Sequence, residues 1–424
     1  MNILYIEHYA GSPEMGMEFR PYYLAKEWVS SGHSVRIVAG DFSHLRLKNP
    51  DIKKDFEETE VDGIQYVWVK AGKYKGNGVA RAFSMLRFVW KLWKKAGEIA
   101  KQWHPDVVIT SSTYPLDTYA GQRIRKKTKR HCEKAAVLIH EVHDMWPITL
   151  IELGGMKKYN PFVMLMQRGE NSFCKNSDYV VSLLPAAKEY FQEHGMKPEN
   201  FRAIMNGVVI DEWTNARELP EEHKKVLNQL RTQGMFVVCF FGSVTKSYAI
   251  DYLLEATKML SDSRVAVVIV GEGNQKQELV EKCQGREDVF FLPKISKMSI
   301  PSLLENVDSC YVGALRNNMF RFGICMNKLF DSMMSGKPIL YSVDAPNNFI
   351  VDYNCGISTE AENSSALADG LRRMLSLSDQ EREKMGKNGR QAVLEHFTYH
   401  QLAEQFEELF DTNRGKIEEE YGGK

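Results

Sequence analysis

Short runs of apolar and β-branched residues recur along the first half of the chain, separated by segments whose apolar residues have helical spacing. We predict that these runs are buried strands, at Ile3–Ile6, Ser34–Ala39, Tyr66–Val69, Asp106–Thr110, Ala136–Ile139 and Tyr179–Leu183. A helix is predicted at Arg20–Ser30, ending at Ser31-Gly32-His33. Strands that alternate with helices indicate a parallel sheet with right-handed crossovers.

The second half repeats this alternation. Its predicted strands are Phe236–Phe241, Val265–Val270, Val289–Leu292, Ser309–Val312 and Pro338–Tyr341, and its predicted helices are Asp251–Met259, Gln275–Lys282, Ile300–Glu305 and Asn327–Met334. The charged stretch Asp211–Gly234 carries no strand signal, whereas Tyr399–Asp411 has an apolar helical face that is expected to dock back across the cleft between the halves. The sequence therefore predicts an α/β protein with domains at 1–210 and 236–395, a connection at 211–235, and a C-terminal helix and tail at 396–424.

Ligands of parallel α/β sheets bind outside the carboxyl ends of the strands, so the loops that follow strands are the candidate sites. The first such loop is Glu7–Met17, where Gly16 stands just before a helix N-terminus and would let the backbone approach a phosphate. A glycine that serves only the turn is the alternative. Dinucleotide and P-loop fingerprints are absent from the sequence, which disfavours those classes of protein.

Two later loops carry more chemistry. In Glu141–Pro147, the imidazole of His143 is expected to bond sugar hydroxyls or carry protons, with a purely structural histidine as the alternative. In Arg321–Asp331, Lys328 and Asp331 are neighbours on one helical face. A diphosphate needs Arg, Lys and amide donors, and a carboxylate can accept bonds from two ribose hydroxyls. The alternative is a surface ion pair that contributes little.

The composition is that of a soluble globular protein, with 43% hydrophobic and 26% charged residues. Seven scattered cysteines fit a reducing compartment, and neither a signal peptide nor an apolar run of the ~20 residues a spanning helix needs is seen. We therefore expect a cytoplasmic protein. No Asp-x-Asp pair occurs, so no metal and no cofactor are expected.

Charge is unevenly distributed, because residues 1–210 hold 30 Lys and Arg against 23 Asp and Glu while the whole chain is neutral. Between Asp62 and Glu98 lie eight basic residues, interleaved with aromatic residues, and no acid. Such a segment, at 77–97, favours an anionic membrane surface. The membrane or acceptor candidates are Arg87, Trp90, Lys91, Trp93 and Lys94. The alternative is an ordinary helix that packs Leu86, Val89 and Trp93 into the core. No nucleic-acid motif accompanies the basic residues.

Taken together, these loops resemble glycosyltransferase family 4, which comprises retaining enzymes of the GT-B fold. The motifs that carry the resemblance are Glu141–Pro147, similar to E-x-[RH]-D-x-W-P, Ile204–Val208, similar to the "NGV" segment, Phe322–Pro338, similar to F-G-I-S-P-N-K-L-F-D-Y-M-x-x-G-K-P, and Met385–Arg390, similar to M-G-x-N-G-R. The resemblance implies two Rossmann-like domains whose parallel sheets face a central cleft, with the C-terminal helix crossing back.

The resemblance also implies roles for individual residues. Gly16 would contact the donor phosphate and His143 the donor sugar, while Arg321 and Lys328 would grip the diphosphate and Asp331 the ribose. The sugar would be bound by backbone amides around Ile324–Asn327, so that Gly323, Ile324, Cys325 and Asn327 complete the donor-binding candidates. Ser243 and Tyr248 stand where the family usually has Arg and Lys, which makes Lys246 a candidate substitute.

The expected activity is retaining transfer of a hexosyl or N-acetylhexosaminyl group from a nucleotide diphosphate sugar, with a UDP-sugar favoured. The expected acceptor is a polyprenyl-diphosphate-linked saccharide of bacterial surface polysaccharide synthesis, such as capsule or O-antigen, at the inner face of the plasma membrane. Two alternatives stay open. One is a GT-B sugar-nucleotide epimerase, and the other is a non-catalytic two-lobed sugar-binding protein. Gly323 replaces the first acid of the family's E-x7-E motif, which keeps the second alternative open.

Overall fold

The computed structural model describes residues 1–16, 19–76, 78–131, 135–260 and 264–411. Met17, Cys132, residue 77 of the basic aromatic segment and residues 412–424 of the predicted tail lie outside the described residues. The chain forms two compact units. The first unit comprises residues 1–205 and the C-terminal segment from Tyr399, and the second unit comprises residues 206–398.

The first unit is built on one sheet. Its strands are β1 (Asn2–Ile6), β2 (Ser34–Gly40), β3 (Glu57–Val61), β4 (Ile64–Val69), β5 (Val107–Thr110), β6 (Val137–Val142), β7 (Tyr179–Ser182) and β8 (Phe201–Ala203), in the order β3-β4-β2-β1-β5-β6-β7-β8. Its helices are α1 (Arg20–Ser30), α2 (Val79–Trp103), α3 (Thr118–His131), α4 (Ile148–Glu152), α5 (Pro161–Asn176) and α6 (Lys188–Glu193), with 3-10 turns at Pro115–Asp117 and Pro198–Asn200. Neighbouring strands are parallel except for β3, which runs antiparallel to β4 at the edge.

The second unit has a parallel sheet of its own, in the order β11-β10-β9-β12-β13-β14. The strands are β9 (Phe236–Phe241), β10 (Val265–Val270), β11 (Val289–Leu292), β12 (Ser309–Gly313), β13 (Ile339–Ser342) and β14 (Gly356–Ser358). The helices are α7 (Ile210–Thr214), α8 (Glu221–Thr232), α9 (Ile250–Lys258), α10 (Lys276–Lys282), α11 (Ile300–Glu305), α12 (Asn327–Met334), α13 (Phe349–Asp352), α14 (Ser364–Ser376) and α15 (Asp379–His396), with 3-10 turns at Lys246–Tyr248, Lys297–Ser299 and Asn318–Phe322.

The central strands of both sheets are buried along their whole length. β5, β6 and β10 have only buried residues, because helices cover both faces of such parallel sheets and every side chain enters a core. This is why these strands read as continuous apolar runs rather than as alternating patterns. In the first unit, Phe88, Leu92 and Ala96 of α2 pack on Val67 and Val108 of the sheet.

The last helix, α16 (Tyr399–Glu407), returns to the first unit and packs on α1. The ring centroids of Trp28 and Phe406 lie 5.6 Å apart, and those of Trp28 and Phe410 lie 5.5 Å apart. The Trp28 indole N–H donates to the carbonyl of Ala403 at 3.2 Å. The apolar stripe predicted for this helix is therefore buried, and the C-terminal helix does cross back.

Several boundaries differ from the predicted ones. β6 runs on to Val142, so that Glu141 belongs to a strand rather than to the loop after it. The predicted connection at 211–235 contains α7 and α8 and lies within the second unit, because Leu227 and Leu230 of α8 are buried. The division between the units falls after residue 205, a few residues before the predicted boundary at 210. In the part of the chain that the structure describes, every helix is too short or too polar to cross a membrane.

Candidate functional site

The ammonium group of Lys328, in the first turn of α12, lies against two aromatic rings of the second unit. Its Nζ is 4.0 Å from the ring centroid of Phe240 and 3.3 Å from that of Tyr248. It is buried, and it has no hydrogen-bond partner among the described residues. Burial lowers the pKa of Lys328 to about 7. A buried cation without an acceptor is energetically costly, so this position favours an incoming anion.

The backbone beside Lys328 is made of glycine. Gly242 follows β9 directly, and a Cβ built on it would lie 3.5 Å from Lys328 Nζ. Gly271 follows the neighbouring strand β10, and a Cβ there would lie 1.8 Å from the carbonyl oxygen of Gly242, so no other residue fits. This glycine pair, Gly242 and Gly271, was not predicted as part of the site, although a glycine after each of two adjacent strands is the signal that identifies it.

Asp331 does not pair with Lys328, which removes the alternative of a surface ion pair. Burial raises the pKa of its carboxyl to about 6. The Asp331 carboxylate is hydrogen-bonded by the side chain of Trp213, which α7 contributes. Lys297 acts electrostatically on the same carboxyl and forms an ion pair with Glu212 at 2.8 Å. None of these three partners was predicted, because they come from segments distant in sequence.

Arg321, the other cation predicted for the site, lies in the 3-10 turn Asn318–Phe322. The Arg321 guanidinium lies 4.3 Å from the ring centroid of Phe322 and donates to the carbonyl of Asn318 at 2.6 Å. It lines a cavity of about 450 Å³ with Asp344 and Pro346. That Arg321 and Lys328 together grip one diphosphate stays a prediction.

The residues between these two cations form a tightly bonded turn. Gly323 has a φ of 97°, and the amide of Ile324 donates to Asn347 Oδ1 at 2.9 Å while its carbonyl accepts from Asn347 Nδ2 at 2.9 Å. Cys325 Sγ accepts from the amide of Asn206 at 3.0 Å. Asn347 thus occupies the Ile324 amide that was predicted to meet the donor sugar, and the sugar-binding role of this turn stays a prediction.

Two further predicted positions lie on the surface of the second unit. Asn327 begins α12 and is exposed. Lys246 is exposed in the 3-10 turn before α9 and lines a cavity with Asp251, Glu255 and Lys282. Because the ring of Tyr248 rather than the amine of Lys246 meets Lys328, the proposed substitution by Lys246 stays a prediction.

In the first unit, Gly16 closes the loop after β1. Its φ is 73°, its amide donates to the carbonyl of Ser12 at 3.0 Å, and a Cβ would lie 2.9 Å from the Leu47 side chain. The amide of Leu47 in turn donates to the carbonyl of Met15 at 2.8 Å. The loop is therefore fixed against the segment after β2, and contact of Gly16 with a phosphate stays a prediction.

His143 follows β6 and belongs to a buried polar network. Its Nε2 lies 2.7 Å from Ser111 Oγ and 3.2 Å from Glu141 Oε2. Glu141 is fully buried and also accepts from Arg20 Nε at 2.8 Å. Burial alone would raise the pKa of Glu141, but Arg20 and His143 hold it well below its usual range. The Glu141 side chain is therefore an anion. Its contact with His143 was not predicted from the sequence.

The predicted membrane helix α2 leaves a stripe of apolar residues exposed. This α2 stripe consists of Val79, Phe83, Leu86, Trp90 and Trp93, which are 73%, 63%, 40%, 53% and 41% exposed. The ammonium of Lys94 lies 3.9 Å from the Trp90 ring centroid and the guanidinium of Arg123 lies 3.5 Å from that of Trp93.

The other basic candidates on α2 differ in their surroundings. Lys91 forms an ion pair with Asp55 at 2.6 Å, and Arg87 is exposed beside Gly72. Of the residues that an ordinary core helix would bury, only Val89 packs on the core. The structure thus contradicts the alternative for Leu86 and Trp93, and binding to a membrane stays a prediction.

No group of three His, Cys, Asp or Glu side chains with metal-binding geometry occurs within the described ranges. The expectation that the protein works without metal stays a prediction. The six described cysteines are unpaired, and five of them are buried, so they belong to the cores rather than to a site.

Comparison with protein families gives a match for each half of the chain. Residues 15–207 match the family model described as a glycosyl transferase 4-like domain, and residues 198–392 match the one described as glycosyl transferases group 1. Lys328, Asp331 and the glycine pair fall in the second match, and His143 falls in the first.

Among curated proteins, the chain is similar to the probable glycosyltransferase WbjE of Pseudomonas aeruginosa. The two are 25% identical over 209 residues, which is 47% of this chain and 49% of WbjE. The uncharacterized glycosyltransferase MJ1069 of Methanocaldococcus jannaschii is 19% identical over 244 residues, which is 56% of this chain and 59% of MJ1069. The chain thus spans about half the length of the curated relatives it matches.

Solved structures resemble the chain over nearly its whole length. Sucrose-phosphate synthase from Thermosynechococcus elongatus superposes with a TM-score of 0.70 at 16% identity, covering 98% of this chain and 99% of that one. Anabaena Alr3699/HepE in complex with UDP-glucose gives a TM-score of 0.59 at 16% identity, covering 96% and 98%. The predicted fold is confirmed as two Rossmann-like α/β domains of the GT-B type, and the family matches support a GT-B glycosyltransferase.

Proposed function

We propose that this protein is a retaining glycosyltransferase that moves a sugar from a nucleoside diphosphate donor, UDP-linked for preference, to a lipid-linked saccharide. The observation that carries the proposal is the buried ammonium of Lys328, which has no hydrogen-bond partner among the described residues and lies beside the glycine pair. A diphosphate supplies the missing acceptor, and glycine lets its oxygens approach the backbone closely. The structural neighbour that holds UDP-glucose supports the choice of donor.

In this proposal, the second unit stabilises the leaving group. Lys328 and the N-terminus of α12 offset the charge that develops on the diphosphate as its bond to the sugar breaks. Asp331 takes the ribose hydroxyls and shares its oxygens with Trp213. Arg321, which lines a cavity with Asp344 and Pro346, is the second cation proposed for the diphosphate.

The transfer itself follows front-face attack. The acceptor hydroxyl forms the new glycosidic bond on the face from which the diphosphate departs, and its proton passes to a diphosphate oxygen. No protein nucleophile takes part, and His143 holds a hydroxyl of the transferred sugar. This account needs cations and one imidazole, which are the groups that the two units supply.

The α2 stripe supports a lipid-linked acceptor and a peripheral position on an anionic membrane surface. Exposed apolar side chains at helical spacing, flanked by Arg87, Lys94 and Arg123, match an interfacial helix. The excess of basic over acidic residues in 1–210 acts in the same direction. The role in bacterial surface polysaccharide synthesis rests on the motif resemblance.

The proposal is tested by following free nucleoside diphosphate. Wild-type protein is incubated with UDP- and GDP-sugars, with and without a polyprenyl-diphosphate-linked saccharide. Release that requires the acceptor is the expected result. Formation of an epimer without acceptor would overturn the proposal in favour of the epimerase alternative, which no finding supports. Donor binding without any turnover would favour the sugar-binding protein.

Lys328→Met tests the site itself. It removes the cation but keeps the length of the side chain, and we expect donor affinity to fall by about 10- to 100-fold, as for the loss of one hydrogen bond to a charged group. Lys258→Met is the matched control, because that lysine is an exposed residue of α9 that pairs with Glu255. Donor affinity that survives in Lys328→Met would show that the diphosphate binds elsewhere.

A further inference from the structure

A buried carboxylate, Glu141, is the centre of a hydrogen-bond network in the first unit. Its Oε1 accepts from Arg20 Nε at 2.8 Å. Its Oε2 accepts from the Tyr5 hydroxyl at 2.5 Å and from Ser111 Oγ at 2.5 Å, and lies 3.2 Å from His143 Nε2. Residues from β1, β6, α1 and the residue directly after β5 therefore meet at one carboxyl group.

This network determines which nitrogen of His143 carries a proton. Glu141 is ionised and can only accept, so each neighbour must donate to it. Ser111 has a single hydroxyl proton, which it gives to Glu141, and it must therefore accept from His143 Nε2 at 2.7 Å. The contacts of Nε2 with Ser111 and with Glu141 both require a proton on Nε2, whether the imidazole is neutral or charged. These two contacts do not determine the protonation of Nδ1.

Arg20 makes this arrangement rigid. Besides Glu141, its guanidinium donates to the carbonyl of Met205 at 2.6 Å and to that of Ile204 at 2.8 Å, at the end of the first unit. Both Arg20 and Glu141 are almost fully buried. Arg20 thus holds Oε1 of Glu141, and Oε2 is the oxygen that orients Ser111 and His143.

We propose that Glu141 is a positioning residue, which with Ser111 keeps His143 in the Nε2–H form. The ligand class is a sugar hydroxyl, which the imidazole meets in the orientation that these two contacts give it. The inference rests on the proposed function only in taking the transferred sugar as the partner of His143. The tautomer itself follows from the contacts in the first unit.

The decisive measurement is the ring-nitrogen spectrum of His143. Long-range 1H–15N NMR spectra of the wild-type protein, assigned with His143→Gln, distinguish the two neutral tautomers at a pH where the ring is neutral. We expect a proton on Nε2. A proton on Nδ1 would overturn the inference, whether or not the protein transfers sugar, so that its failure and the failure of the proposed function are distinguishable.

Variants then test the effect on transfer. Ser111→Ala removes the hydroxyl acceptor but leaves the Arg20–Glu141 pair, and Ser111→Thr restores a hydroxyl. We expect Ser111→Ala to mix the tautomers and to lower kcat by about 10-fold or more, with little change in the KM of the donor, since a positioned proton-carrying group contributes ~10²–10⁴-fold. Ser111→Thr should recover the wild-type spectrum and rate. Equal spectra in wild type and Ser111→Ala would exclude the positioning role.

Glu141→Gln tests the carboxylate directly. Glu170→Gln is its matched control, because Glu170 is equally buried in the first unit but bonds Tyr190 and Gln167 instead of His143. If both variants fold and only Glu141→Gln changes the His143 spectrum and kcat, the positioning role is supported. Equal losses in the two variants, with an unchanged His143 spectrum, would reduce Glu141 to a structural residue.

Discussion

The surroundings of Lys328 could be predicted only in part from the sequence. Its position in the motif and its three-residue spacing from Asp331 indicate a phosphate-binding lysine. What the sequence does not contain is the pair of rings, Phe240 and Tyr248, that confines the ammonium. Those rings come from β9 and the turn after it, about 80 to 90 residues earlier in the chain. Separation along the chain also explains why Arg20 and Asn347 were not predicted, because Arg20 lies 121 residues from Glu141 and Asn347 lies 23 residues from Ile324. Trp213 is likewise distant in sequence from Asp331.

Under the proposed function, the lowered pKa of Lys328 makes donor binding depend on pH. Because this pKa is about 7 in the free protein, the ammonium is present below pH 7 and lost above it. A diphosphate binds the charged form and raises the pKa, so binding takes up a proton at pH 8. Affinity for UDP should fall up to about tenfold per pH unit above pH 7, until the pKa of the complex is reached.

Isothermal titration calorimetry with UDP at pH 7, 8 and 9, in two buffers of different ionisation enthalpy, measures both effects. Lys328→Met is the control and should bind weakly without this pH dependence. An affinity that is constant from pH 7 to 9 in the wild type would contradict the assignment of Lys328 to the phosphate.

Arg20→Met leaves the buried Glu141 without its cation. Removing one partner of a buried pair typically costs ~3–5 kcal/mol, whereas the partly exposed Arg125–Asp178 pair at 2.8 Å should cost ~1 kcal/mol or less when Arg125 is changed to Met. The pKa of Glu141 is depressed in the folded protein, so its stabilising effect is present above the unfolded pKa and is lost as the pH falls.

Thermal unfolding of the two variants at pH 7 and pH 4 checks this expectation. The loss of stability in Arg20→Met should be smaller at pH 4. Without Arg20, burial raises the pKa of Glu141, so that in the variant the carboxyl is protonated at this pH and needs no cation. An equal deficit at both pH values, or a deficit no larger than that of Arg125→Met, would show that the ion pair is not the cause.

At the scale of elements, most strands and helices were predictable because burial on both faces gives a strand an unmistakable apolar run. β9, β10 and β11 and helices α1, α11 and α12 have the predicted bounds. β3 was missed because Glu57, Glu58 and Glu60 give it the composition of a loop, although it is an exposed edge strand. Asp62-Gly63, both with positive φ, forms the tight turn to β4, and an Asp-Gly pair is the signal that identifies such a hairpin.

Packing of α15 depends on a glycine that the M-G-x-N-G-R motif contains. A Cβ on Gly386 would lie 1.7 Å from the carbonyl oxygen of Gly336, at the end of α12. Gly386→Ala must therefore push two helices apart, and we expect a loss of ~1–3 kcal/mol in stability. The matched substitution Gly97→Ala in α2 meets no atom within 4 Å and should gain ~0.5–1 kcal/mol from helix propensity.

Chemical unfolding of both glycine variants tests the packing. Opposite signs are expected, because the two substitutions have the same propensity term and differ only in the space around the new methyl group. If Gly386→Ala were as stable as Gly97→Ala, the close contact between α15 and the end of α12 would not be a feature of the protein in solution.

At the scale of the whole molecule, the charge difference between the halves and the α2 stripe support our proposal that the first unit binds a membrane surface. The GT-B fold was predictable from the motifs, but the sequence did not reveal which aromatic residues of α2 are exposed. Helical spacing alone did not decide whether Trp93 is buried or exposed. In the structure it is 41% exposed, and the guanidinium of Arg123, from α3, lies 3.5 Å from its ring centroid.

Flotation with liposomes tests this surface. Binding to vesicles with anionic lipid, weakened by salt, is expected for the wild type, since each basic residue near the surface contributes ~1 kcal/mol. Trp90→Gln with Trp93→Gln should abolish this binding, whereas Tyr159→Gln, a change at a 74% exposed aromatic residue that is not part of α2, should not. Indifference of the wild type to anionic lipid would exclude the proposed role of α2.

The return of α16 to the first unit has a consequence for how the chain is made. Trp28 is covered by Phe406 and Phe410, and the whole second unit is translated between α1 and that cover. At ~5–20 residues per second, ribosomes need about 10–40 s to add that unit, and the apolar face of α1 waits uncovered for that time. We therefore expect the core of the first unit to close only after the second unit has been synthesised.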